Sequence, residues 1–157
     1  MNRALTKKKL MPAAQWASAL RLRALALAWV LAALGNAAVA ADTPHGQMTA
    51  WAAAAKASDP GYTPSPERGK AFFNKQLAHS ADMPSCATCH TATPTNSGKH
   101  AISGKVIAPL SPNANAERFT DAAKTEKWFK RNCNDVLGRV CTPAEKADLV
   151  SFLISQR

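Results

Sequence analysis

The five residues CATCH, Cys86–His90, place two thiols and an imidazole at a spacing that suits a single cofactor. Two cysteines three positions apart can reach the two vinyl groups of one porphyrin, and the next residue can turn its imidazole onto the iron. A thioredoxin-like pair would need a βαβ context, and a zinc site would need a second ligand pair at suitable spacing. The pattern therefore predicts one covalent haem c, attached through Cys86 and Cys89, with His90 as the proximal iron ligand.

The first forty residues predict export. Basic residues near the start precede an uncharged run from Ala24 to Ala41, which contains an A-x-A cleavage pattern at Ala38–Ala40. This order is typical of a signal peptide, so we predict cleavage after residue 40 and a periplasmic location. The alternative is an uncleaved membrane anchor, but the uncharged run is near the lower length limit for a membrane-spanning helix. We expect no membrane anchor after processing.

The charge balance argues against a nucleic-acid partner. Residues 1–40 contain six basic and no acidic residues, so their removal lowers the formal charge from +10 to +4. The basic residues that remain are scattered among acidic ones and form no stripe with interleaved aromatics. Residues 41–157 are long enough for one compact domain and too short for two. We expect a single monohaem cytochrome c domain there.

The elements around the motif are predicted to be helical. An Ala-rich first helix precedes a second helix with Ser65 as N-cap, Pro66 in its first turn, and Phe72 and Phe73 on its apolar face. Residues 92–115 are rich in Pro, Ser, Gly, Thr and Asn, which predicts a long loop and no convincing strand. The fold class is therefore all-α, with few helices wrapped around a haem that supplies much of the core.

Two further helices are predicted near the C-terminus. The first can begin at Thr120 and run to the RNCN segment, with Ala123, Trp128 and Phe129 able to face inward. The last is the clearest, because a T-x-x-E capping box that starts at Thr142 precedes an apolar spacing of i, i+3 and i+4 at Leu149, Phe152 and Leu153.

With these elements the chain resembles class I c-type cytochromes. Gly69 and the aromatic pair Phe72–Phe73 precede CATCH, the stretch APLSP follows it, and a helix with an aromatic among leucines closes the chain. The resemblance implies that the helix bearing these residues and the last helix cross through small and aromatic residues. It also implies that the Pro109 carbonyl accepts the Nδ1 hydrogen of His90, which would fix the ring.

One expected residue of that class is missing. Electron-carrying members supply a methionine downstream of the haem motif as the sixth ligand, but after residue 40 the chain has only Met48 and Met83, both upstream. Among the histidines, His100 is the main candidate for the vacant position, although a surface role is the simpler interpretation. The other candidate is the RNCN segment, where the methionine normally lies.

A closer resemblance singles out that segment. The stretch from SGKVIAPLSP to LVSFL, together with PERGKAFF and PSCATCH, is similar to the sphaeroides haem protein group of high-spin class I cytochromes. The resemblance implies that the Asn132 carboxamide is the sixth ligand of the oxidised iron and that Cys133 and Cys141 form a disulfide. Asn134 is the rival ligand by position. Alternatively, Asn132 could be only a helix C-cap.

These inferences predict a periplasmic monohaem c-type cytochrome that accepts electrons and binds small diatomic ligands (O2, NO, CO) when reduced. A carboxamide oxygen is a neutral, hard and weak donor, which favours ferric over ferrous iron. The resemblance implies a dihaem cytochrome c or a membrane cytochrome b as electron donor. The alternatives are a simple electron carrier with a histidine sixth ligand, or an enzyme that reacts with oxygen or nitric oxide. An enzyme would need a distal acid or base, which the sequence does not identify.

Overall fold

The computed structural model describes residues 42–157, so the expected signal peptide lies outside the described residues. Five helices and two short strands follow one another: α1 Pro44–Ala55, α2 Pro66–Asn74, α3 Cys86–His90, β1 Gly98–Lys99, β2 Val106–Ile107, α4 Ala122–Leu137 and α5 Pro143–Ser155. The predicted all-α class is confirmed, with a minimal antiparallel hairpin added inside the expected loop. Within the described residues, no helix is long and apolar enough to span a membrane.

The predicted N-terminal signals of α2 and α5 are present. The Ser65 hydroxyl accepts a hydrogen bond from the Arg68 amide (3.2 Å), and Pro66 occupies the first turn of α2. At α5, the Thr142 hydroxyl accepts from the Glu145 amide (3.2 Å), and the Glu145 carboxylate accepts in return from the Thr142 amide (2.8 Å). Each arrangement satisfies amide groups that a helix start would leave without partners.

The core forms where α5 packs against α1 and α2. A Cβ on Gly69 would overlap the Asp148 carbonyl oxygen and lie 2.8 Å from the Phe152 Cβ, so only glycine permits this approach of α2 to α5. Phe73 is fully buried, with its ring centroid 5.6 Å from that of Phe152. The crossing through small and aromatic residues that the resemblance implies is therefore observed.

A buried carboxylate joins the loop before α2 to α5. Asp148 is 6% exposed and accepts hydrogen bonds from the Tyr62 hydroxyl (2.7 Å) and the Ser65 amide (2.8 Å). It also accepts from Nε and Nη2 of Arg68, both at 2.8 Å. Burial, reinforced by Asp148, raises the pKa of Tyr62 to about 12. We call Tyr62, Ser65, Arg68 and Asp148 the Asp148 network.

The boundaries predicted for α4 are wrong at both ends. The helix begins at Ala122, after Asp121 caps it by accepting from the Lys124 amide (2.8 Å), and it continues through RNCN to Leu137. It ends at Gly138, which has a φ of 68° in the left-handed region that favours glycine. Asn132 therefore lies inside the helix, and the alternative that it is a C-cap is wrong.

The inward face of α4 is also partly different from the prediction. Phe129 is buried as expected, but Ala123 is exposed and Trp128 is 45% exposed. The buried face is formed at helical spacing by Thr125, Phe129, Cys133 and Val136. Ala123 and Trp128 lie outside this stripe, because Ala123 is three or four residues from none of its members and Trp128 only from Thr125.

Candidate haem-binding site

The short helix α3 presents the residues of the CATCH motif. Ser85, only 2% exposed, caps the helix by accepting from the Thr88 amide (3.2 Å). Cys86, Cys89 and His90 are half-buried, and both cysteines are free thiols. The backbone after His90 is strained, because Thr91 is a β-branched residue with a φ of 62°. Such strain is found where surrounding contacts hold a functional residue in place.

The donor chemistry of this helix fits a haem. Burial raises the pKa of the Cys86 thiol to about 11. Burial, with a smaller contribution from the Arg118 charge, lowers the pKa of His90 to about 4, so its imidazole is neutral at pH 7. Within residues 42–157 no other residue forms a hydrogen bond with the His90 ring. Two free thiols beside a neutral, unengaged imidazole are the groups that covalent attachment and iron ligation require.

The hairpin of β1 and β2 packs directly on α3. A Cβ on Gly98 would overlap the Cys89 carbonyl oxygen and lie 3.0 Å from the His90 Cα. The Ala101 amide donates to the Cys89 Sγ (3.3 Å). His100 belongs to the same turn, where its Nδ1 accepts from the amides of residues 102 and 103 (3.3 and 3.2 Å). His100, the alternative candidate for the sixth ligand, therefore stabilises a turn beside the CATCH motif.

The Pro109 carbonyl has an arginine donor that the sequence did not predict. Arg118 Nε donates to the Pro109 oxygen (2.8 Å), and Arg118 Nη2 donates to the Ala108 oxygen (2.6 Å). Asn115 Nδ2 also approaches the Pro109 oxygen, at 3.5 Å. The described structure contains no hydrogen bond from the His90 ring to the Pro109 oxygen, so the bond from His90 Nδ1 stays a prediction for the haem-bound protein.

The two candidate asparagine ligands lie on different sides of α4. Both side chains are exposed, and neither carboxamide forms a hydrogen bond within residues 42–157. At about 100° per residue, Asn132 lies about 55° from the middle of the buried face, whereas Asn134 lies about 145° from it. Asn132 therefore borders the interior, and Asn134 points nearly away from it.

Cys133 and Cys141 are both buried at 5% exposure. Their Sγ atoms are 2.01 Å apart and their Cα atoms 5.6 Å apart, which is the spacing of a disulfide. The pair connects the last turns of α4 to the residue before the N-cap of α5. His79 also lies at this end of α4, with its ring against Gly138.

Comparison with known proteins places the chain in a family. Residues 60–153 match a family model described as a domain of unknown function, DUF1924. The chain is 48% identical over 126 residues to the cytochrome c-type protein SHP of Cereibacter sphaeroides, which covers 80% of this chain and 94% of SHP. It is 43% identical over 104 residues to cytochrome c'' of Methylophilus methylotrophus, which covers 65% of this chain and 72% of that protein. The chain belongs to the sphaeroides haem protein group of class I c-type cytochromes.

Solved structures of the same two relatives share the fold of this cytochrome. The structure of oxidised SHP, described as an oxygen-binding cytochrome c, has a TM-score of 0.66 at 48% identity and covers 73% of this chain and 99% of that one. Oxidised cytochrome c'' gives 0.68 at 38% identity, with coverage of 73% and 94%. A solution structure of cytochrome c'' that concerns haem-ligand detachment gives 0.62 at 36% identity, with coverage of 78% and 95%. The predicted class I fold is confirmed, and the relatives imply that this cytochrome carries haem c.

Sequence reasoning missed two parts of this site. Nothing in the sequence linked the Ala101 amide to Cys89, because the contact depends on how a loop folds back. Arg118 had one weak signal, since it is the only basic residue between Lys105 and Lys124. A single unpaired charge in a polar loop is usually a solvated residue, so the signal was not distinctive.

Proposed function

We propose that this cytochrome is an exported, periplasmic monohaem protein in which His90 and Asn132 are the iron ligands and Cys86 and Cys89 attach the haem. When bound, the haem iron supplies one-electron chemistry and a position for a small gas. The observation that carries the proposal is the exposed Asn132 carboxamide, which forms no hydrogen bond within residues 42–157 and lies beside the buried face of α4. It is the residue that the family resemblance matches to the sixth position.

The surroundings of Asn132 favour a weak but well-positioned ligand. The adjacent Cys133 is buried at 5% exposure in the apolar core, which fixes this turn of the helix. A disulfide from Cys133 to Cys141 would also restrain this turn, by linking it to the residue before the N-cap of α5. A carboxamide oxygen binds ferric iron better than ferrous iron, so on reduction Asn132 would leave the position to O2, NO or CO. The oxygen-binding description of SHP and the haem-ligand detachment studied in cytochrome c'' support this order of events.

The simple electron carrier with a His100 sixth ligand is less well supported. To bind iron on the side opposite His90, His100 would have to leave a turn in which its Nδ1 accepts two amide hydrogen bonds. That turn is anchored to Cys89 and packs against His90. Movement of His100 would therefore disturb the proximal motif itself.

The absorption spectra of matched asparagine variants test the sixth ligand. We expect Asn132→Ala to change the ferric spectrum of the purified holoprotein, whereas Asn134→Ala, an identical truncation two residues away, leaves it unchanged. The reduced wild-type protein should bind carbon monoxide. If the oxidised protein is low-spin and the reduced protein does not bind carbon monoxide, the proposal that the reduced iron has a free sixth position is wrong. Sustained turnover of oxygen or nitric oxide with a supplied reductant would instead indicate an enzyme.

Processing and electron transfer are tested separately. The exported protein should begin at Ala41 when its N-terminus is sequenced, and it should be recovered in the periplasmic fraction.

Thiol titration of unfolded, unreduced holoprotein should find no free cysteine, because Cys86 and Cys89 carry the haem and Cys133 pairs with Cys141. The proposed donor, a dihaem cytochrome c or a membrane cytochrome b, should reduce the ferric protein in stopped-flow mixing. Two free thiols would remove the disulfide from the proposal.

A further inference from the structure

The outer face of the hairpin of β1 and β2 exposes apolar side chains to solvent. In the hairpin, Gly98 pairs with Ile107 and Lys99 pairs with Val106. Successive residues of a strand point to opposite faces, and Gly98 lies against the backbone of α3. Lys99 and Val106 therefore point away from the CATCH motif. Val106 is 79% exposed, and Ile102 at the tip of the hairpin is 66% exposed.

Two lysines flank these apolar residues. Lys99 and Lys105 are both exposed, and among the ion pairs of residues 42–157 neither takes part in one. The chain has ten acidic residues, yet none occurs between Asp82 and Glu117, so this segment carries positive charge without a carboxylate of its own. We call the following residues the hairpin patch: Lys99, Ile102, Lys105 and Val106.

The tip of the hairpin is ordered by its own hydrogen bonds. The His100 amide donates to the Lys105 carbonyl, and the Gly104 amide donates to the His100 carbonyl, both at 2.9 Å. A Cβ on Gly104 would lie 3.4 Å from the Lys99 Cε, so the aliphatic stem of this lysine lies along the tip. The Ala101 amide joins the tip to the Cys89 Sγ (3.3 Å). A surface ordered in this way loses little conformational entropy when a partner binds.

We infer that the hairpin patch is the surface on which an acidic redox protein docks to deliver an electron. Apolar side chains with a charged rim are the usual anatomy of a protein–protein interface, and a small patch suits a transient complex. Opposite charge on the partner accelerates the encounter. One electron then passes from the partner, whose cofactor is oxidised, to ferric haem iron, which becomes ferrous. Docking here places the partner against the turn whose Ala101 amide contacts Cys89.

The composition of the patch favours a protein over an anionic membrane. A lysine near an anionic bilayer contributes about 1 kcal/mol to binding, so two lysines supply too little to hold the protein on a lipid surface. Exposed Ile102 and Val106 can instead pack against apolar side chains of a protein partner. The inference rests on the haem attachment through Cys89 in the proposed function and is independent of Asn132.

Stopped-flow mixing of ferric holoprotein with a reduced dihaem cytochrome c tests the patch. The double variant Lys99→Glu, Lys105→Glu should lower the second-order rate constant at low salt by about tenfold, and high salt should remove most of that difference. The control is Lys56→Glu, Lys70→Glu, which reverses two exposed charges at the end of α1 and on α2 and should change the rate constant less than about twofold. Both variants should be reduced by dithionite at the wild-type rate. Equal slowing of the two double variants would overturn the inference.

A hexaglutamate peptide tests the surface without any donor protein. Carbodiimide cross-linking at low salt, mapped by mass spectrometry, should join the peptide mainly to Lys99 and Lys105. Cross-links mainly to the exposed lysines of α4, or binding of phosphatidylglycerol vesicles that the Lys99→Glu, Lys105→Glu variant abolishes, would refute the inference. If the dihaem cytochrome does not reduce the wild-type protein, that donor in the proposed function is wrong, and the peptide still decides whether the hairpin patch receives an acidic partner.

Discussion

Replacing Asp148 by asparagine should lower the free energy of unfolding by about 3 kcal/mol. Asp148 Oδ1 accepts from Tyr62, Ser65 and Arg68 Nη2, and Oδ2 accepts from Arg68 Nε, at 2.7 to 2.8 Å. An asparagine amide group in the place of Oδ2 cannot accept, so one bond is lost and the other three lose their charge assistance. At about 1 kcal/mol for each, the loss is about 4 kcal/mol. The 54% exposure of the Arg68 side chain reduces this to about 3 kcal/mol.

Urea unfolding of the holoprotein, followed by far-ultraviolet circular dichroism, measures this loss. The matched control is Glu145→Gln, which removes the ion pair with Arg139 (2.6 Å, Arg139 side chain 52% exposed) and keeps an amide able to complete the capping box. We expect the control to lose about 1 kcal/mol or less, with unchanged denaturant slopes in both variants. If Asp148→Asn loses no more than Glu145→Gln, burial of the carboxylate does not contribute as argued.

Three further outcomes are expected. Tyr62 is the only tyrosine, and its folded pKa of about 12 exceeds the unfolded value of about 10. The folded state therefore keeps a proton that the unfolded state loses, so stability should fall as pH rises from about 10 to about 12, and Tyr62→Phe should flatten that fall in urea unfolding. Gly69→Ala should cost at least about 3 kcal/mol in the same assay because its Cβ meets the backbone of α5, whereas Gly61→Ala, with ordinary space around it, should be near neutral. Gly138→Ala should cost about 1 kcal/mol in thermal melts through its φ of 68°, and a loss that His79→Ala fully restores would show a steric cause instead.

Local signals predicted the parts of the fold that depend on neighbouring residues. Ser65 with Pro66, and Thr142 with Glu145, start their helices as expected, because a cap needs only side chains within one turn. The helix spacing around Phe152 likewise identified its buried face. The haem could be predicted from the CATCH motif for the same reason, because its two cysteines and its histidine are neighbours in the sequence.

Features that depend on distant contacts could not be obtained in this way. The end of α4 was misplaced because the polar RNCN segment has weak helix preference, and the burial of Cys133 and Val136 overrides it. The Asp148 network joins Asp148 to residues 80 to 86 positions away. The contact of Arg118 with Pro109 joins two positions in a loop without periodicity.

The packing of α5 on α1 and α2 also sets an order for the assembly of this cytochrome. The contacts that close the core are made by residues at opposite ends of the described chain, and pairing such distant segments is slow because loop-closure entropy is lost first. The two cysteines that we propose attach the haem lie between these segments, and burial of Cys86 makes its thiol less reactive once the ends have met. Covalent attachment is therefore favoured on the open chain. A chain truncated before α5 would keep the CATCH motif but lose the surface against which α1 and α2 pack.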